Sequence, residues 1–182
     1  MVFIKKDTIV VNLFAGPGAG KSTIAANVYA DLKWAGVNVE MALEYAKDLV
    51  WEERFATLEN QIYVFGKQLH RMNRLVGKVD VIITDSPLLL SSIYKPKDIS
   101  QSFDDLVLDE FNKFNNVNYF IERKKPFNQK GRLQTEEQAK EKDKEIKGFL
   151  NNHYVFFDEI PGDSDGVNVA TMRTLHFLEG VV

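Results

Sequence analysis

The sequence predicts an α/β fold, a doubly wound five-stranded parallel sheet. Two observations predict it. Five apolar, β-branched or aromatic runs alternate with helical patterns, at residues 8–14, 37–43, 79–84, 118–121 and 153–157. Alternation of this kind argues for parallel strands covered by helices on both faces. The second observation is a glycine-rich run, Ala15-Gly16-Pro17-Gly18-Ala19-Gly20-Lys21-Ser22-Thr23, directly after the first strand.

That run is a phosphate-binding loop. Glycines let a backbone curl so that its N–H groups point inward at an anion. Lys21 can reach the β- and γ-phosphates of a nucleoside triphosphate, and Ser22 can ligate Mg²⁺. The helix that follows adds its positive N-terminal end. Ala15 stands where the strict G-x-x-x-x-G-K-[ST] pattern has its first glycine. ATP and Mg²⁺ are therefore the expected cofactors, held by residues 15–23.

The remaining elements follow in order. Residues 22–34 put Ile24, Ala25, Val28, Tyr29 and Leu32 on one helical face, and Gly36 stops the helix. Residues 61–76 place Ile62, Phe65, Leu69, Met72 and Val76 at helical spacing, a stripe read as core. Thr135-Glu136-Glu137-Gln138 is a capping box, followed by a charged helix to about Leu150. A last helix is expected over residues 167–179, ending at Gly180.

Composition narrows the class. A length of 182 residues suits one domain, 1–182. There is no cysteine, which excludes disulfides, thiol catalysis and cysteine-ligated zinc and fits a cytoplasmic setting. Lys5 and Lys6 before an apolar stretch superficially resemble a signal peptide, but that stretch runs into the phosphate loop and reads as the first strand. No apolar run approaches the roughly 20 residues of a membrane span. The net charge of −3 is unlike that of a general nucleic-acid binder, although a local basic patch stays open. The Asn/Thr-Lys-x-Asp guanine-reading motif is absent, and His70, His153 and His176 are scattered.

Ligands in such sheets sit at the carboxyl ends of the strands. Asp85, at the end of Val81-Ile82-Ile83-Thr84, is the expected Mg²⁺ partner of Ser22. A rival carboxylate pair, Asp158-Glu159, follows Val155-Phe156-Phe157; Asp85 is preferred because a third strand commonly neighbours the first, while a fifth tends to an edge. Glu44, after the second strand, is the candidate general base for an acceptor hydroxyl. The segment 123–132 holds Arg123, Lys124, Lys125, Lys130 and Arg132 with no acid, and Pro126 and Gly131 make it a loop. It reads as a cationic lid, about 123–135, with Arg123 and Arg132 as the phosphate-binding arginines. Tyr45, Trp51 and Phe65 are candidates to stack on a base, each weighed against a place in the core.

Together these residues resemble the P-loop nucleoside and nucleotide kinases, including the thymidylate kinase superfamily. The phosphate loop, Glu44-Tyr45-Ala46-Lys47, Asp85-Ser86-Pro87, Arg123…Gly131-Arg132 and Gln134-Thr135-Glu136 carry the likeness, over about residues 8–178. In detail the chain is similar to a phage branch, some members of which are 5-hydroxymethyluracil DNA kinases. The resemblance implies ATP binding by Gly16, Gly18, Gly20, Lys21, Ser22 and Thr23, Mg²⁺ at Asp85, activation of the acceptor by Glu44, and closure by Arg123 and Arg132. It implies a nucleotide-type acceptor, with modified DNA as its specific case and a free nucleoside or monophosphate as the alternative. It implies the host cytoplasm, no membrane, and leaves a homodimer open. One departure stands out. Ser86 follows Asp85 where several relatives carry an arginine that grips a monophosphate, and Arg54 or Arg71 are the candidate replacements. The runner-up from another class is an ATP-hydrolysing switch or assembly protein that uses Asp158-Glu159.

Overall fold

All six residues of β1 (Ile9–Phe14) are buried, so this strand must lie inside a sheet covered on both sides. The computed structural model describes residues 8–124 and 135–180 and places it there. β2 (Val39–Met41), β3 (Val81–Thr84), β4 (Asn115–Glu122) and β5 (Asp158–Pro161) complete one parallel sheet in the order β2-β3-β1-β4-β5. Val11 lies beside Ile83 on one side and Val117 on the other. As expected, β3 adjoins β1 and β5 is an edge.

The pleat divides β1 between two cores. Ile9, Val11 and Leu13 face α1 (Lys21–Trp34) and α8 (Ser164–Glu179), meeting Ile24, Val28, Leu32 and Ala170. Val10 and Phe14 face the opposite core, with Met72, Phe103, Phe111 and Ile146. These come from α4 (Gln61–Asn73), α6 (Ser102–Asn112) and α7 (Glu136–Asn152). Three shorter helices were not legible in the sequence: α2 (Tyr45–Trp51), α3 (Phe55–Glu59) and α5 (Leu90–Tyr94). α6 was missed as well. Asn12 is the one polar residue of β1. It is buried and donates to the side chains of Asn116 (2.8 Å) and Asn118 (3.0 Å) on β4.

Caps fix the helix ends. Thr135 and Gln138 form the predicted capping box of α7. Asn60 accepts from the backbone N–H of Tyr63 at the start of α4, and Asp163 accepts from Asp165 and Gly166 at the start of α8. The Asp163 cap starts α8 at Ser164, three residues before its expected start.

Two elements differ from the sequence expectation. The fifth strand is Asp158–Pro161, not residues 153–157. The chain leaves α7 through Tyr154, whose φ of 55° is left-handed, and Val155 donates back to the carbonyl of Leu150. Val155 and Phe157 then pack against the core, Phe156 points outward, and pairing with β4 begins only at Asp158 opposite Tyr119. In α4 the buried face is Gln61, Val64, Phe65, Gln68 and Met72, while Ile62 is 59% exposed. The buried polar end of β3 requires this rotation. Gln68 donates to the Ala42 carbonyl (3.2 Å) and the Thr84 hydroxyl (3.3 Å), and accepts from the Tyr45 N–H (3.1 Å). Bonds left unmade there would cost more than the exposure of one isoleucine.

No helix among the described residues is long and apolar enough to cross a membrane. One close approach sets the packing of α8 on β5. A Cβ added at Gly166 would lie 1.8 Å from the Pro161 carbonyl oxygen. Gly166→Ala should therefore destabilise the fold by about 2 kcal/mol or more, read as a fall in denaturant midpoint with unchanged m-value.

Candidate functional site

The loop between β1 and α1 is shaped by backbone conformations that a side chain resists. Gly20 sits at φ 107° immediately before the first helical turn. Lys21 folds back over the loop and donates to the carbonyls of Ala15 (2.8 Å) and Gly16 (3.2 Å). Burial pushes its ammonium below its ordinary pKa, and the carboxylates of Glu44, Asp85 and Asp143 pull it back up.

β3 ends directly beneath this loop. The Ser22 hydroxyl donates to Asp85 Oδ2 at 2.5 Å, and Asp85 Oδ1 accepts from the Glu44 N–H at 3.1 Å. One buried carboxylate thus joins the loop to the start of α2. Ser22 and Asp85 present adjacent hard oxygens at the start of α1, the donor set that Mg²⁺ takes beside a nucleotide phosphate. The expected metal residues therefore fit the ion.

Glu44 leaves β2 as the N-cap residue of α2, without capping the helix through its side chain. Burial pushes its carboxyl above the usual carboxylate range. Lys21 opposes that shift and Asp85 adds to it. Glu44 also lines a cavity of about 670 Å³ that opens from the phosphate loop. Lys21, Ser22 and Thr23 form its floor, and Val50, Trp51, Leu58, Val64, Leu90 and Tyr94 supply an apolar wall. Burial, together with Glu44, Glu145 and Asp143, raises the Tyr94 phenol well above its ordinary pKa, so it stays a neutral donor.

Arg123 lies against the outside of the loop rather than free in a lid. Its guanidinium donates to the Pro17 carbonyl (2.7 Å), to the Ala139 carbonyl (3.2 Å) and, through Nε and Nη2, to Asp143 of α7. Asp143 Oδ1 also accepts from the Gly16 N–H at 2.5 Å. Among the described residues, the second N–H on Nη1 of Arg123 has no partner. Arg132 and residues 125–134 of the expected lid lie outside the described residues.

The other candidates separate. Trp51 lines the cavity, Phe65 is buried in the core, and Tyr45 faces the opposite side of its turn. Arg54 pairs with Glu52 on the surface, and Arg71 pairs with Asp48, so neither enters the cavity. Beyond the phosphate loop the cavity's lysines are Lys47 and Lys95, and Lys95 is paired with the buried Asp104. Asp158 and Glu159 lie within β5 rather than after it; Asp158 pairs with Arg173, Glu159 pairs with Lys147, and neither lines the cavity. Asp143 and Gln68 were missed. Asp143 reads as one charge among many in a charged helix, and Gln68 as surface.

A phosphate loop at the head of β1, a carboxylate at the end of the adjacent β3 and a parallel sheet define an α/β P-loop nucleotide-binding fold of the kinase-like kind. A family model described as an AAA domain matches residues 10–165, and the chain belongs to that family. No curated protein matches the chain in sequence. Among solved structures, it is similar to NadR in complex with NAD and AMP-PNP, at 16% identity and a TM-score of 0.67. A NadR complex with NR matches at 14% identity and 0.67. These cover 99% of this chain but only 52% and 53% of NadR, so the chain spans about half the length of that protein. Thymidylate kinase from Ehrlichia chaffeensis matches at 12% identity and 0.59, covering 94% of this chain and 98% of the other. Likeness at these identities shows the fold.

The Arg123–Asp143 pair should act on the loop as a unit. In a double-mutant cycle of Arg123→Ala and Asp143→Ala, read by affinity for a non-hydrolysable ATP analogue, coupling of about 1–3 kcal/mol is expected. Additive losses would show that the two side chains act separately.

Proposed function

We propose that this chain is a phosphotransferase that moves the γ-phosphoryl group of ATP to a hydroxyl of a nucleotide-type acceptor. The observation that carries it is Glu44, a carboxylate of raised proton affinity on the wall of a nucleoside-sized cavity, facing Lys21 of the phosphate loop. Bound ATP supplies the phosphoryl group, and Mg²⁺ at Ser22 and Asp85 offsets the charge on its phosphates. Lys21, the loop N–H groups and the free N–H of Arg123 hold the phosphates, with Arg132 as a second arginine by resemblance. Glu44 takes the proton of the acceptor hydroxyl as its oxygen bonds to the γ-phosphorus and the bond to the ADP oxygen breaks.

The acceptor most in keeping with the family resemblance is the 5-hydroxymethyl group of 5-hydroxymethyluracil in phage DNA. The cavity supports an uncharged group at its inner end. Its wall is largely apolar, no arginine lines it among the described residues, and Lys95 is neutralised by Asp104. A free nucleoside fits the same wall, whereas a monophosphate would find Lys47 as the one acceptor-side cation without an ion pair among the described residues. The runner-up, an ATP-hydrolysing switch, loses its support because Asp158 and Glu159 are paired away from the cavity.

Labelled ATP offered with nucleosides, monophosphates, unmodified DNA and hydroxymethylated DNA tests the acceptor directly. Label is expected on hydroxymethylated DNA; label on monophosphate alone would overturn the assignment. Glu44→Gln should lower transfer by about 10² or more while ATP-analogue affinity holds. Glu44 must be ionised to accept a proton, and its pKa lies above the ordinary 4.5. The rate should therefore fall as pH drops through that raised value, and this acid limb should vanish in Glu44→Gln.

A further inference from the structure

Among the described residues the cavity beside Glu44 offers Lys47 and the paired Lys95 but no arginine, and a basic cluster lies just outside it. Lys67, His70, Arg71 and Arg74 fall three and four residues apart, on one face of α4 and its cap. α4 contains no carboxylate, in a chain whose net charge is −3. Of the four, only Arg71 has an ion pair among the described residues, to Asp48. With Met41, Leu43 and Tyr45 they line an open groove of about 460 Å³ beside the edge strand β2.

Two aromatic rings stand among these cations. Tyr63 lies 5.9 Å from Tyr45 in an edge-to-face arrangement, and their hydroxyls are 3.3 Å apart. The Lys67 ammonium sits 5.4 Å from the Tyr63 ring, and the Arg71 guanidinium 5.0 Å from the Tyr45 ring. Arg71 also donates to the Leu43 carbonyl at 2.9 Å, which ties α4 to the turn that carries Glu44. Along that turn successive residues alternate. Leu43 and Tyr45 line the groove, whereas Glu44 and Ala46 line the cavity. Groove and cavity therefore share a wall one strand thick.

We propose that this groove is a docking surface for single-stranded nucleic acid, with phosphates over the cations of α4 and one nucleotide turned past the Glu44 turn into the cavity. This rests on the phosphotransferase assignment and specifies its acceptor as a polymer. Charge complementarity carries it. Cations and rings side by side suit a strand whose backbone is anionic and whose bases stack without sequence preference. The division also explains why the cavity is apolar: the phosphates stay outside while a neutral base enters. A free monophosphate would need the reverse.

Fluorescence anisotropy with a labelled single-stranded DNA of about 20 nucleotides tests this without turnover. The wild-type chain should bind at low salt. Lys67→Glu combined with Arg74→Glu should weaken binding about tenfold or more and flatten the log–log salt dependence by about 1.4, two phosphate contacts' worth. Affinity for a fluorescent ATP analogue should not change, which shows that the variant is folded. Tyr63→Ala should weaken binding to the oligonucleotide but not to inorganic polyphosphate. Absence of binding by the wild type, equal binding by the double variant, or equal loss of both ligands in Tyr63→Ala would overturn the docking surface. The phosphotransferase assignment falls separately, if Glu44→Gln keeps full transfer.

Discussion

The Asp85 carboxylate holds the site together. It is buried at the end of β3, accepts from the Ser22 hydroxyl with one oxygen and from the Glu44 N–H with the other. A carboxylate in that position must find donors or a cation, because an unpaired buried charge is far too costly to keep. Its partners come from elements 63 and 41 residues away in sequence, so satisfying one side chain aligns β3, α1 and α2. The order β2-β3-β1 makes this possible, since only a strand adjacent to β1 ends beneath the loop. Lys21 completes the balance. Burial works against its ammonium, and the fields of Glu44, Asp85 and Asp143 work for it.

Much of this was legible in the sequence because it is local. The loop over residues 15–23, Ser22 and the carboxylate closing an apolar strand are contiguous patterns with one physical reading each. That β3 adjoins β1 and β5 lies at an edge was expected from fold analogy and is what the sheet shows. What escaped was tertiary. Asp143 meets the loop 127 residues from Gly16, and nothing in the charged run of α7 singles it out. Gln68 looked like a polar position between apolar ones, yet it is buried because three polar groups at the ends of β2 and β3 need it. β5 was misplaced for a related reason. The run 153–157 has strand-like composition, but it closes α7 and covers the core, and pairing starts where β4 offers a partner.

Arg123 shows how the same residue changes meaning with its surroundings. In sequence it heads a basic segment and reads as a mobile phosphate-binding arginine. In the structure, Asp143 engages it bidentately and two carbonyls take further N–H groups. A planar guanidinium held at several points is pre-organised, and an oriented donor helps a transition state more than a free one. The clamp also couples the elements around it. Asp143 touches the Gly16 N–H and Arg123 touches the Pro17 carbonyl, so the crest of the loop cannot shift without moving α7. α7 begins where residues 125–134 end.

The acceptor side obeys a complementary rule. On the phosphotransferase reading proposed above, the cavity would gain by excluding water from the acceptor hydroxyl. Here Val50, Trp51, Leu58, Val64 and Leu90 give the cavity an apolar wall, Lys95 is neutralised by Asp104, and Tyr94 remains a neutral phenol. Positive charge lies at the loop, with Lys21 and Arg123, on the cavity wall, with Lys47, and outside on α4. Between the cavity and the groove stands a single turn, Leu43 to Ala46, with Glu44 pointing one way and Tyr45 the other. A neutral group attached to an anionic strand would satisfy both surfaces at once. On that phosphotransferase reading, such a layout would favour an acceptor by how its charge is distributed, before any base edge is read.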